Sequence, residues 1–173
     1  MGTARPAVLA DVPRLAALCR QALAEMASAR GGPVFVQREA QPEPLEERFA
    51  AALADPSKAM FAGIFDAVML GYAAVTDETL RDGSSLAVVT DLYVEPAARE
   101  VGVGEALMDA LIEWATVRGC AGVDATALPG DRLTKNFFES NGFTARLLIM
   151  HRRLEGDVDE PVQSVVSEEP ARP

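Results

Sequence analysis

A strand-like run, Leu86 to Val94, is followed by Arg99-Glu100-Val101-Gly102-Val103-Gly104 and then by a helix-like run, Glu105 to Arg118. Strand, glycine-bearing loop and helix in this order limit the chain to folds that mix the two kinds of structure. The same stretch limits function. The first turn of a helix carries N–H groups without intrahelical acceptors, and they point along the axis. Glycines let the backbone approach an anion with no Cβ in between. The stretch is therefore suited to holding a phosphate.

Periodicity extends the reading in both directions. The short apolar run Ala7 to Ala10 is followed by Asp11, a good N-cap, and Pro13, suited to a first turn. Val12, Leu15, Ala16, Leu18, Cys19, Leu23 and Met26 repeat with a helical period, predicting helix over about 12–29. Gly31-Gly32-Pro33 stops it, and Val34-Phe35-Val36 is an apolar piece able to line a pocket. Pro42 and Pro44 open a further helix with Leu45, Phe49, Ala52 and Leu53 on one face. From Lys58 the period changes. Ala59–Phe65 and Val68–Thr76 read as a hairpin turning at Asp66, and Leu86–Val94 completes a meander. Glu105–Arg118 is amphipathic, with Leu107, Ala110, Leu111 and Trp114 on one face. A strand over 121–128, a helix over 132–140 and a last strand over 143–154 follow. The order is β-α-α-α-β-β-β-α-β-α-β, an α/β fold with a mixed sheet whose first part is an antiparallel meander.

At 173 residues and 49% hydrophobic, the chain is long enough for one domain with a sizeable core. The net charge of −10 argues against a nucleic-acid partner, which calls for basic patches. Half of that charge sits in the segment 155–173, with six acidic residues and one arginine, which is expected to be a disordered tail after a domain over 1–154. The mild acidity of the remainder weakly favours a cationic substrate such as an amine. No apolar run reaches the ~18 residues needed to cross a membrane. The N-terminus has neither a signal-peptide nor a myristoylation pattern, so a cytoplasmic protein is expected. Cys19 and Cys120 give neither metal-ligand spacing nor a disulfide framework, and a single histidine, His151, makes a poor metal site. No metal is expected.

The hexapeptide R-E-V-G-V-G, preceded by D-L-Y-V-E-P-A-A and followed by N-F-F-E-S-N-G-F, resembles the GNAT superfamily of acyl-CoA-dependent N-acetyltransferases, whose signature is Arg/Gln-x-x-Gly-x-Gly/Ala. The resemblance covers about 5–154. A dinucleotide fingerprint is the rival, but its third glycine would fall on Leu107, and the loop from Glu95 to Val101 is too long for that tight turn. The resemblance implies an enzyme with acetyl-CoA as co-substrate. Arg99, Glu100, Val101, Gly102, Val103 and Gly104 would receive the pyrophosphate, and the backbone of Leu92, Tyr93 and Val94 would pair with the pantetheine arm as an added strand. Lys135 or Arg132 would meet the phosphates, or else form a solvated helix face. Phe138 would pack against the arm.

For the chemistry, the resemblance implies that Asp91 takes the proton of the amine, with Tyr93 as pocket residue or relay. The alternatives are a structural carboxylate and a packing tyrosine. On an alternating strand Asp91 would share a face with Tyr93 and Val89. The oxyanion donor would be the N–H of Leu92 or Val94. Two departures stand out. Phe138 occupies the place where many members carry a proton-donating Tyr, and Arg132 stands where many have Asn. Expected partners are an amine acceptor, small molecule or protein, with a homodimer open, and neither nucleic acid nor membrane. Because Phe138 has no proton to give, a non-catalytic acyl-CoA-binding or regulatory module on the same scaffold is the competing function.

Overall fold

The computed structural model describes residues 1–154, so the expected disordered tail lies outside the described residues. A compact unit spans Met1–Phe143. Its elements run β1 (Thr3–Pro6), α1 (Val12–Ala27), α2 (Gly32–Arg38), α3 (Leu45–Ala54), β2 (Lys58–Phe65), β3 (Val68–Thr79), β4 (Ser85–Val94), α4 (Val103–Val117), β5 (Val123–Asp124) and α5 (Arg132–Ser140). One five-stranded sheet has the order β1-β2-β3-β4-β5. The first four strands are antiparallel, and β5 joins β4 in parallel. The expected mixed α/β arrangement, with a meander first and crossover helices later, is thus the fold.

Each face of the sheet buries its own core. On one face α1 and α3 bring Leu15, Leu18, Cys19 and Phe49 onto Met60, Ala62, Tyr72 and Tyr93. On the other, α4 lays Val103, Leu107, Met108 and Leu111 onto Phe61, Ala73, Val75 and Val89. Each fully buried aliphatic side chain contributes about 1.5–3 kcal/mol, so these two layers carry the fold. The stripe of α4 leans toward Met108 and Ala115, with Ala110 and Trp114 only half-buried at its edge. α4 approaches the sheet closely at Gly63, where a Cβ would lie 2.6 Å from Val103 and 2.9 Å from Leu107.

The structure corrects several expectations. The first strand precedes the apolar run 7–10, and Leu9–Asp11 is a single 3-10 turn. Asp11 makes no side-chain cap to α1; its carboxylate binds Arg5 at 2.6 and 2.9 Å and the Val8 N–H at 2.9 Å. A side chain with a nearby guanidinium satisfies more hydrogen bonds there than at the helix end. The strand expected over 121–128 shrinks to Val123–Asp124, paired only with Ala87 and Val88. Residues 144–154 form no strand. Leu147-Leu148-Ile149-Met150 has strand propensity but no period-2 alternation, so it has no face to choose and no register to hold.

One irregularity organises β4. Ala74 faces Asp91 but Val75 faces Val89, so Thr90 is an extra residue, a β-bulge. A one-residue insertion reverses the facing of everything beyond it. Val89 therefore packs with α4, while Tyr93 packs with α1. The expectation that Asp91, Tyr93 and Val89 share one face fails at Val89 for this reason.

Candidate active site

The bulge also sets where the backbone of β4 points. Glu95 N–H donates to Leu70 O, which makes 93 and 91 the residues hydrogen-bonded to β3. Leu92 and Val94 consequently turn their N–H and C=O groups to the other edge. β5 covers that edge only at Ala87 and Val88. From Val89 to Val94, no strand of the described residues lies along it. An extended amide-bearing chain finds an open ladder there.

At the end of β4, the loop 99–102 runs into α4. Glu100 and Gly102 are both left-handed, with φ of 84° and 83°. Gly102 is the N-cap and supplies no side-chain cap, so the first-turn N–H groups of Val103, Gly104 and Glu105 are left to an outside acceptor. A left-handed residue followed by helical ones turns successive N–H groups inward, forming a concavity suited to an anion. α4 starts at Val103, two residues before the expected Glu105, which places Gly104 inside the first turn. The residues present fit a pyrophosphate.

This cradle is braced by a residue that sequence reasoning passed over. Gly2 is buried, and its N–H donates to Val101 O at 2.9 Å. A Cβ on Gly2 would lie 2.4 Å from Val103 N and 2.5 Å from Gly102 C. We expect Gly2→Ala, by distorting this loop, to weaken binding of the acetyl-CoA that the resemblance implies roughly three- to tenfold, about 0.7–1.4 kcal/mol. Titration calorimetry reads this directly, and unchanged affinity would show that the N-terminal segment yields without moving the loop. Only the contact between positions a hundred apart reveals this brace.

The sequence profile of the Acetyltransferase (GNAT) family matches residues 20–143. The chain belongs to the GNAT acetyltransferase family. No curated protein matches it in sequence. Among solved structures, a tetramutant of the BH1408 protein from Bacillus halodurans superposes with a TM-score of 0.75 at 19% identity, covering 87% of this chain and 99% of that one. AAC(6')-Iy, in complex with the bisubstrate analog CoA-S-monomethyl-acetylneamine, gives 0.68 at 18% identity, covering 89% and 99%. The aminoglycoside acetyltransferase meta-AAC0020, from an uncultured soil metagenomic sample and in complex with trehalose, gives 0.67 at 19%, covering 90% and 97%. These likenesses establish the GNAT fold.

Within this GNAT fold, Asp91 sits beside the bulge. Its carboxylate accepts from Tyr72 Oη at 3.0 Å and from Thr90 Oγ1 at 2.9 Å. Burial pushes its pKa up, against the opposing hydrogen bonds from Thr90, Tyr72 and Gln41. Tyr72 is buried and held protonated, its pKa raised first by desolvation and then by the Asp91 charge. Behind it, burial pushes the Cys19 thiol up to about 11, which leaves it inert at neutral pH.

Tyr93 points elsewhere. Its hydroxyl donates to Glu25 Oε1 at 2.5 Å, and its pKa is raised by desolvation and by that bond. Arg99 donates from Nη2 to Glu25 Oε2 at 2.7 Å and from Nε to Val94 O at 3.0 Å. Burial would raise Glu25, but the bonds from Tyr93 and Arg99 carry it below the usual carboxylate range. Arg99, the first residue of the R-E-V-G-V-G signature, is thus tied to α1, a contact the sequence did not announce.

The α5 candidates divide. Phe138 is buried in the α4 core, with its ring centroid 5.3 Å from Phe143 and 6.0 Å from Phe137. Lys135 is exposed and paired with Glu139 at 2.5 Å. Arg132 is exposed. Trp114 is half-buried under Arg118, whose guanidinium lies 4.7 Å from the ring centre. Among the described residues, no group of His, Cys, Asp and Glu stands together as a metal site, and no helix is long and apolar enough to cross a membrane.

Proposed function

We propose that the chain transfers an acetyl group from acetyl-CoA to a primary amine by direct attack. One observation carries this reading: the α4 cradle and the open edge of β4 are contiguous, and Asp91 stands on the same strand beside that edge. The cradle, 99–104, receives the pyrophosphate. The Leu92 N–H and C=O and the Val94 N–H hold the pantetheine arm, the Val94 carbonyl being taken by Arg99. The thioester carbonyl is thereby brought to the level of Asp91.

An alkyl ammonium has a pKa of about 10.4 and must lose a proton before it can attack. Asp91 accepts that proton, directly or through a water, and its raised pKa makes it a stronger base than an ordinary carboxylate. The amine nitrogen adds to the carbonyl carbon. The N–H of Leu92 or Val94 holds the oxygen that gains charge, the adduct nitrogen gives its second proton to water, and the C–S bond then breaks. The thiolate leaves without a donor from position 138, because a thiol pKa of about 8.5 makes it a tolerable leaving group, and it takes its proton from water. Tyr93 acts by holding Glu25 and Arg99 in place, its own proton being engaged.

The aromatic burial of Phe138 favours the second reading, a module that binds acyl-CoA without turning it over. Thiol release from acetyl-CoA in the presence of pooled amines separates the two. Release that depends on an amine supports the transferase; binding by calorimetry with no release supports the module.

A further inference from the structure

A cavity of about 210 Å³ lies under α3, against β2, β3 and the bulged part of β4. Asp91 and Thr90 line it, together with Gln41, Thr76, Arg48 and Lys58. It is smaller than the roughly 300–1,000 Å³ typical of pockets for drug-sized ligands. An acceptor seated there is the size of an amino acid.

Its charges are of both signs and are unequally satisfied. Lys58 is paired with Asp55 at 3.6 Å. Arg48 is exposed on α3 with no ion pair among the described residues. This is notable in a chain of net charge −10, where Glu43 and Glu46, on the same stretch, are both bound by Arg20 at 2.7–3.0 Å. A cavity lined by both an unpaired guanidinium and a carboxylate is matched by a ligand that carries an anion as well as an amine.

We propose that the acceptor is a small amine bearing an anionic group, with Arg48 holding the anion while Asp91 faces the amine. The proposal rests on the transferase reading above and adds the class of acceptor. Polycationic amines of the aminoglycoside kind, which are larger and place a second cation near Arg48, are disfavoured on both counts.

The test compares L-leucine, L-leucinamide and neamine as acceptors for acetyl-CoA, in the full chain and in Arg48→Ala and Arg48→Lys. The first two share a side chain and differ in the carboxylate, whose loss also lowers the amine pKa, so kcat/KM is compared per unprotonated amine across a pH series. The expected result is a kcat/KM for leucine at least tenfold above that for leucinamide. Arg48→Ala should erase this preference through KM while leaving leucinamide turnover unchanged, and Arg48→Lys should restore part of it. A preference for leucinamide or neamine, or an equal loss with all amines in Arg48→Ala, overturns the acceptor class and leaves the transferase standing. Absence of thiol release with these three amines and with the pooled amines overturns the transferase reading. Leucine binding measured by calorimetry in the presence of CoA then decides the anion site separately: binding lost in Arg48→Ala supports it, and no binding, or binding indifferent to Arg48, overturns it.

Discussion

Replacing Asp91 by Asn should lower turnover by roughly 10²–10⁴-fold, with acetyl-CoA affinity held within about twofold. The carboxamide keeps the shape of the side chain; its oxygen accepts from one of the two hydroxyls that now serve Oδ1 and Oδ2, and its NH2 donates to the other, a hydroxyl able to turn and accept, so the packing beside the bulge survives. The capacity to take a proton does not. The pH profile makes the distinction sharp. Desolvation raises the Asp91 pKa, so the wild-type rate should fall on an acid limb lying above the ordinary carboxylate range. In Asp91→Asn that limb should vanish. Stability gives an independent readout. A carboxyl with a folded-state pKa above its unfolded value favours the native state most when protonated, below the unfolded pKa. This contribution is lost as pH rises through the folded pKa. Wild type should therefore lose stability over that window relative to Asp91→Asn, whose stability should be flatter there. Full activity in Asp91→Asn with an unaltered pH profile would remove the base assignment.

The residues that were legible in sequence are those whose local pattern decides their structure. The start of α1 at Val12, the limits of α5 at Arg132 and Ser140, and the hairpin across Asp66-Ala67 follow from periodicity and turn chemistry. So does the glycine loop before α4. What was hidden is non-local. The bulge at Thr90 carries no glycine or proline to mark it, yet it decides that Val89 faces α4 and that Leu92 and Val94 offer their amides to the open edge. Glu25 reads as one more polar residue on the outer face of α1; its bonds to Tyr93 and Arg99 span 68 and 74 positions. Gly2 reads as an N-terminal glycine, and only the approach of Val103 shows why a Cβ cannot be there. The final strand failed in the opposite sense, because propensity without alternation does not choose a partner.

Gly104→Asp should weaken acetyl-CoA binding at least tenfold in a folded protein, while Gly104→Ala should change it by less than about threefold. The structure refines where the substitution acts. Gly104 lies in the first turn of α4, and a Cβ there would meet Phe137 at 3.4 and 3.5 Å and Val94 at 3.9 Å, ordinary to slightly tight contacts. A methyl group is therefore accommodated against the Phe137 ring, in keeping with the glycine or alanine that the family signature allows. An aspartate adds a charge at the same point. That charge is stabilised by the helix N-terminus, by about 0.3–1 kcal/mol at exposed sites, so the fold should survive. For the same reason it competes for the N–H groups that a pyrophosphate needs, and it repels the phosphates themselves. Each charge-assisted hydrogen bond is worth about 1.5–3 kcal/mol, so the loss of one already exceeds a tenfold drop in affinity. Calorimetry with acetyl-CoA, beside a thermal melt to confirm folding, gives both quantities. Salt adds a diagnostic: a deficit that shrinks as ionic strength rises is electrostatic, whereas a deficit indifferent to salt and shared by Gly104→Ala is steric. Unchanged affinity in a folded Gly104→Asp would place the pyrophosphate away from the 99–104 cradle.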